Sequence, residues 1–405
     1  LAAINNFDQI DIIVLGLYFP GIDIIKHFSG KGKKCVGIDC YDNVPGLYLR
    51  KVKTYHCPDP EKDERGWLDF LMQFRSGTCS KPVILNTSDK FIKAIIKNSK
   101  ALGEFFLFHG SENGITEILM NKRTLVEYAE SKGIPIPKTY FYKEGDDYQT
   151  GVEGFHYPCV IRPEYGKKWF EEPLNTLVKG HKLIKVDGRD ELLSWMRKIL
   201  PYDNNLIIQE IVVGPDENLF YSVCYLSKDN RLLGYFTGQK LRIDPVHFGS
   251  ATYMRTHGSD EMLPLCRKIM DNSGYHGPAG IEFKKDNKDG KLKLIEINTR
   301  FGLWDVMGTK LGVNLFEIAY NDLTGNDKRI FIPDENITYY WMSIANDISV
   351  IGQYRKEGLL TWRQWIRCFF KKNHIADLYM DEPKMMYHMY VDRIIRKIRR
   401  GFFRL

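Results

Sequence analysis

The sequence predicts a chain of mixed α/β and α+β class, and three observations predict it. Over residues 7 to about 115, short apolar runs alternate with helical stretches, the pattern of a parallel sheet with helices on both faces. From Tyr157 to Arg300 strands predominate and return on one another as hairpins. Beyond Ile332-Pro333 the character changes again, ending in a segment where basic residues alternate with isoleucine and phenylalanine.

In chain order, Asp11 to Leu15 reads as a buried strand, Gly21 to Phe28 as a helix, and Lys34 to Asp39, Lys81 to Leu85 and Phe105 to Phe108 as three further strands. Gly16 to Gly21 follows the first strand but lacks the Gly-x-Gly-x-x-Gly spacing, so it argues weakly for a dinucleotide. Lys122 to Ala129 is a helix; Gly133 closes it, and Pro135 and Pro137 force extended chain. Tyr157 to Pro163 is a strand ending on a cation, Arg162, and the loop after it, Glu164 to Phe170, holds one glycine and two lysines, Lys167 and Lys168. Lys182 to Asp187 is a strand before a helix that starts near Asp190, and its register is not fixed by sequence. Leu206 to Gly214 is an apolar strand running into a short linker, which supplies the flat slot and edge amides that an adenine ring requires; a plain buried strand explains the same run.

The pattern richest in chemistry lies between Gly280 and Gly302. Side chains two apart on a strand share a face, so Glu296, Asn298 and Arg300 point into one space. Glu282 sits in an earlier apolar strand, and Asp286-Asn287-Lys288-Asp289-Gly290 supplies the turn of a hairpin between the two. Two acids and an amide oxygen suit Mg2+, which takes oxygen ligands and keeps substrate phosphates in its shell, while an arginine neutralises a transferring phosphoryl group. This is an ATP site without a P-loop; the plainer alternative is a hairpin with charges facing water. Upstream, Lys240 and Arg242 are also two apart on a strand, so both can face one anion, or simply solvent.

Composition bounds the alternatives. The chain of 405 residues is 43% hydrophobic and 13% aromatic, enough for two or three packed domains. No uninterrupted apolar run approaches the roughly 18 to 20 residues of a membrane span, and no charged segment followed by an apolar stretch opens the chain, so a cytoplasmic location is expected. Cys35, Cys40, Cys57, Cys79, Cys159, Cys224, Cys266 and Cys368 form no Cys-x-x-Cys pair, so zinc and redox chemistry lack support. The net charge of +7 is concentrated from Lys384 onward, where seven Lys or Arg face one Asp, and no nucleic-acid partner is expected.

At Glu282, Glu296, Asn298 and Arg300 the chain resembles the ATP-grasp superfamily of carboxylate-amine ligases, from about Asn121 to Gly325, and within it the group that includes D-aspartate ligase and relatives associated with cell-surface polymers. The resemblance implies a Rossmann-like domain over 1–117, a two-lobed nucleotide-binding fold over 118–205 and 206–328, and an extension over 329–405. It implies ATP with two Mg2+ ions, Mn2+ being an alternative, held by Glu282, Glu296 and Asn298. Phosphates fall to Arg162, where the family usually has lysine, and to Lys182, with Lys185 as runner-up. Adenine falls to Gln209, Glu210, Ile211 and Val212, ribose to Asp216 or Glu217, and the reacting acyl phosphate to Arg300, Lys240 and Arg242. Two departures stand out: the loop at Glu164 to Phe170 is poor in glycine, and Gly280 stands where related D-alanine ligases carry arginine.

The implied activity is ATP-dependent activation of a carboxylate and its joining to an amine, both small molecules or parts of a precursor. The competing readings are a catalytically silent nucleotide-binding protein at a membrane and a kinase of a non-carboxylate acceptor. His247, His257 and His276 fit no ligand spacing and read as structural. The segment from Tyr387 to Leu405, with Arg393, Arg396, Lys397 and Arg400 among apolar residues, reads as a basic amphipathic helix. It either lies on the inner membrane surface or packs on the protein.

Overall fold

The described residues of the computed structural model are 10–75, 80–111, 113–164, 168–256, 261–326, 329–334 and 336–391. The chain forms two compact units: one comprises Leu1–Glu117, Pro215–Glu282 and Ile297–Leu405, the other Ile118–Gly214 and Phe283–Glu296.

The first unit opens with β1 (Ile12–Leu15), β2 (Cys35–Asp39), β3 (Lys53–His56), β4 (Val83–Asn86) and β5 (Leu107–Phe108), in the order β3-β2-β1-β4-β5. All pairs are parallel, as the alternation with helices predicts. Strand β1 is buried on both faces: Ile12 and Val14 enter one core cluster, Ile13 and Leu15 the other. A fully buried aliphatic side chain contributes about 2 kcal/mol, which is why this strand reads as a continuous apolar run. The helix Phe19–Ser29 packs close behind it, and there Gly21 is required: a Cβ would lie 1.9 Å from the Gly16 carbonyl oxygen.

The second unit is built on β6 (Thr139–Tyr142), β7 (Cys159–Pro163), β8 (Ile184–Val186) and β9 (Leu206–Glu210), antiparallel in the order β6-β9-β7-β8. Cys159, Ile161, Ile184, Val186, Leu206 and Ile208 turn one face into a core with Leu192, Leu193 and Met196 of the helix Arg189–Ile199. The expected boundary at 205/206 is corrected here: β9 hydrogen-bonds between β6 and β7, so the unit runs on to Gly214.

A seven-stranded sheet follows, with β10 (Leu219–Leu226), β11 (Leu232–Asp244), β12 (Ser250–Thr256), β13 (Gly277–Lys285), β14 (Leu292–Asn298), β15 (Tyr340–Met342) and β16 (Asn373–Ile375) in the order β14-β13-β10-β11-β12-β15-β16. Strands β13 and β14 carry the chain across the boundaries of the two units, at Glu282/Phe283 and Glu296/Ile297. The expected extension over 329–405 is not separate from the first unit. Its β15 pairs with β12, β16 pairs with β15, and Met385 and Met389 from the helical stretch 383–391 enter the same core as β1 and β10. The Tyr48 and His388 rings stack there at 3.7 Å. For residues 387–391, therefore, the packed alternative holds; Arg393, Arg396, Lys397 and Arg400 lie outside the described residues.

Candidate functional site

In the second unit the register of β7 decides which groups share a face. Arg162 lies opposite Ile207, and Val160 lies opposite both Lys185 and Gln209. Directly opposed residues point the same way, so Arg162, Lys185 and Gln209 occupy the face away from the core. Lys182, the residue expected at the phosphates, is an exposed bend residue two positions before β8 begins. The register therefore favours the runner-up, Lys185, which ion-pairs with Asp187 at 2.7 Å.

Arg162 donates from Nη2 to Gln209 Oε1 at 3.3 Å, and Gln209 donates to Thr139 Oγ1 at 2.9 Å. Arg162 Nε is buried and has no hydrogen-bond partner among the described residues. Burial pushes this guanidinium below its ordinary pKa, with the Glu296 carboxylate opposing the shift. A buried donor without an acceptor costs about 1–3 kcal/mol, and an incoming anion removes that cost. Lys122 stands at the start of the helix Lys122–Ser131. Crowding of its ammonium, and secondarily Arg162, push its pKa down to about 8 against the pull of Glu296. Sequence reading passed over Lys122 because it sits on a helix surface; its place directly after the helix-capping Asn121 was the available signal.

The linker after β9 is held at both ends. Glu210 Oε1 accepts from the His156 backbone at 2.7 Å and meets its Nδ1 at 3.2 Å, while Ile211 N–H donates to Pro158 O at 3.0 Å. The Val212 N–H has no partner among the described residues. In the loop after β7, Lys168 ion-pairs with buried Asp203 at 3.3 Å; Lys167 lies outside the described residues.

In the first unit, the expectation that Lys240 and Arg242 face one anion is corrected. Lys240 lies opposite Met254 and Arg242 opposite Tyr253, so Leu241 is an extra residue in β11, and the original register returns at Ile243, opposite Ala251. Lys240 donates to Glu282 Oε2 at 2.6 Å, both residues being buried. Arg242 instead makes a two-pronged pair with Asp347, 2.8 Å from both Nε and Nη2. Asp347 also accepts from Thr252 at 2.7 Å and from Trp365 Nε1 at 2.8 Å. Arg242 is thus neutralised inside the fold and ties the sheet to the C-terminal helices.

Asp216 is likewise unsuited to ribose. It is buried and accepts from Tyr354 Oη at 2.5 Å and from the His247 backbone at 3.3 Å, with His247 Nδ1 at 3.2 Å. Glu217 is exposed, and its backbone carbonyl accepts from Gln239 Nε2 at 2.7 Å. His247 also reaches Glu357 at 3.0 Å and His276 reaches Asp322 at 2.9 Å, the structural roles expected of them. His257 lies outside the described residues.

Arg300 is held by Asp89, 2.8 Å from Nε and 3.3 Å from Nη2, and donates to Asn298 Oδ1 at 3.2 Å. Glu296 is exposed and shares a strand face with Asn298. The absence of arginine at Gly280 has a steric cause: a Cβ there would stand 1.8 Å from the Tyr221 hydroxyl, which fills the space. Among the described residues no three His, Cys, Asp or Glu converge on a metal position. The expected set contains only two carboxylates and an amide, all hard oxygen donors, and fits Mg2+ that keeps phosphate oxygens as its other ligands.

No family model matches the chain. It is 22% identical to D-aspartate ligase of Enterococcus faecium over 389 residues, covering 89% of this chain and 90% of that one. Among solved structures, L-amino acid ligase from Bacillus licheniformis aligns with a TM-score of 0.53 at 17% identity, covering 78% of this chain and 75% of the other. N5-carboxyaminoimidazole synthetase from Staphylococcus aureus, complexed with ADP, aligns with a TM-score of 0.62 at 15% identity, covering 87% and 88%. Along nine tenths of its length the chain is thus similar to D-aspartate ligase, and it shares the fold of ATP-grasp carboxylate-amine ligases.

Proposed function

We propose that this ligase uses ATP to phosphorylate a carboxylate and then joins the acyl group to an amine. The carboxylate oxygen attacks the γ-phosphorus and ADP leaves; the amine nitrogen attacks the acyl carbon, the carbon–oxygen bond to phosphate breaks, and the amine gives up a proton. Positioning and charge neutralisation are the work required, with no covalent enzyme intermediate. The observation that carries the reading is the buried Arg162 Nε lacking an acceptor, on the sheet face that also presents Lys185 and Gln209.

In this reading Arg162, Lys185 and Lys122 bind phosphates, the linker from Gln209 to Val212 receives adenine, and Glu217 receives ribose. Arg300, steadied by Asp89, faces the transferring phosphoryl group, and Lys240 orients Glu282. Glu282, Glu296 and Asn298 would hold Mg2+, which when bound screens phosphate charge. An amino-acid carboxylate is the first donor to test, given the D-aspartate ligase relative, and a wall or surface-polymer precursor is the proposed source of the amine.

The test is hydroxylamine trapping with purified protein, MgATP and pools of amino acids and sugar acids. Acyl hydroxamate together with ADP is the expected product, and Glu296→Gln should lower both at least a hundredfold while leaving the circular dichroism spectrum unchanged. ADP without hydroxamate would mean phosphoryl transfer to another acceptor. Full turnover by Glu296→Gln would overturn the site.

A further inference from the structure

The helix Trp362–Cys368 shows two faces of opposite character. Inward, Trp365 donates to Asp347 at 2.8 Å and Cys368 is buried beside Arg242. Outward, Trp362, Ile366 and Phe370 recur every fourth residue and are 50%, 51% and 85% exposed. Ile348 and Leu359, on the stripe of the preceding helix and turn that contains Arg355, are 55% and 54% exposed. Arg355 lies over the Trp362 ring at 4.5 Å, which brings the end of the preceding helix against the start of this one. Scattered exposed apolar residues need no explanation, but a contiguous patch marks a docking face.

Charge indicates what docks. Residues 355–372 contain six Lys or Arg, at 355, 356, 363, 367, 371 and 372, against a single acid, Glu357. All six basic residues are exposed. A second copy of this chain would bring two such cationic rims together and is disfavoured by repulsion. A nucleic acid would satisfy the cations but leave Ile366 and Phe370 in water. An anionic bilayer surface satisfies both, because indole and phenyl groups settle at the headgroup boundary while flexible Lys and Arg stems reach lipid phosphates. The face is also preorganised: Thr361 and Gln364 form a capping box at the helix start, and the Trp365–Asp347–Arg242 network fixes its inner side.

We infer that the exposed face of Trp362, Ile366 and Phe370, rimmed by Arg355, Arg363, Arg367 and Lys371, is a docking surface for anionic phospholipid bilayers. The surface is independent of the ligase reading. It also differs from the basic segment beyond residue 391, so the test must separate the two.

The experiment is flotation of the full chain with large vesicles of phosphatidylglycerol mixed with phosphatidylcholine, and with phosphatidylcholine alone. The parent should float with the anionic vesicles only, less so as salt rises. Replacing Trp362, Ile366 and Phe370 together by Ser should raise the lipid needed for half-binding at least tenfold without lowering the thermal midpoint, since these side chains are exposed. A companion variant, Arg393, Arg396, Lys397 and Arg400 to Gln, should retain binding that still depends on Trp362, Ile366 and Phe370. Parent-like flotation of the Ser variant would place binding in the terminal segment and overturn the inference. So would failure of the parent to float, or light scattering showing a dimer that the Ser variant abolishes.

Discussion

At the scale of single residues, the arrangement separates groups paired inside the fold from groups on the sheet face away from the second unit's core. Lys240 and Arg242 answer Glu282 and Asp347, and Asp216 answers Tyr354 and His247, so none of the three is the solvent-facing group its position in the sequence suggests. Arg162 has a donor to spare, and Lys185 shares its face. Replacing Lys185 with Ala should therefore raise the KM for MgATP about tenfold, the loss of one charge-assisted phosphate contact, whereas Lys182→Ala should leave it unchanged. Initial rates of ADP formation check this, and the reverse ranking would restore Lys182 to the site.

At the scale of elements, one bulged strand reassigns a role. The register of β11 is irregular at Leu241 and Arg242 only, and Arg242 is the buried tie between that strand, β12 through Thr252, and the two helices that carry Asp347 and Trp365. Removing one partner of a buried pair leaves an uncompensated charge and costs about 3 kcal/mol or more. Arg242→Ala should accordingly lower the denaturation midpoint and expose residues 344–368 to proteolysis. A purely catalytic arginine would instead change turnover and leave stability alone. Scanning calorimetry with limited proteolysis distinguishes the two.

At the scale of the whole molecule, residues 379–381 are bound into the body of the first unit. Tyr379 donates to buried Asp23 on the helix Phe19–Ser29 at 3.2 Å, and Lys26 of that helix pairs with Asp381. Burial pushes the Asp23 carboxyl up to about 7, with Tyr379 and Lys26 opposing. Between about pH 4 and 7 the folded chain keeps a proton on Asp23 that the unfolded chain has released, so this group's contribution to stability falls as pH rises through that window. Asp305, also raised to about 7, acts in the same sense, and His374, lowered to about 4, in the opposite one. The readout is thus the difference between variant and parent: Asp23→Asn should gain on the order of 4 kcal/mol relative to the parent between pH 4 and 8. Urea titrations across that range check it; parallel curves would mean that Asp23 is ionised throughout.

Much of this was legible in the sequence because the information is local. Continuous apolar runs marked β1, β4 and β9, a turn-rich segment marked the hairpin of β13 and β14, and the period of two placed Glu296 and Asn298 on one face. Strand β3 escaped notice because it is an edge strand with both ends exposed and has no apolar signature. The sequence by itself determined the residue types of the site, their order along the chain and the class of chemistry. Only the tertiary structure set Lys185 on the face of Arg162, paired Asp216 and Arg242 inside the fold, and joined residues 340–391 to the core. These outcomes depend on strand register, on a bulge and on pairings between positions 18 to 138 residues apart, which the local spacing of side chains does not encode.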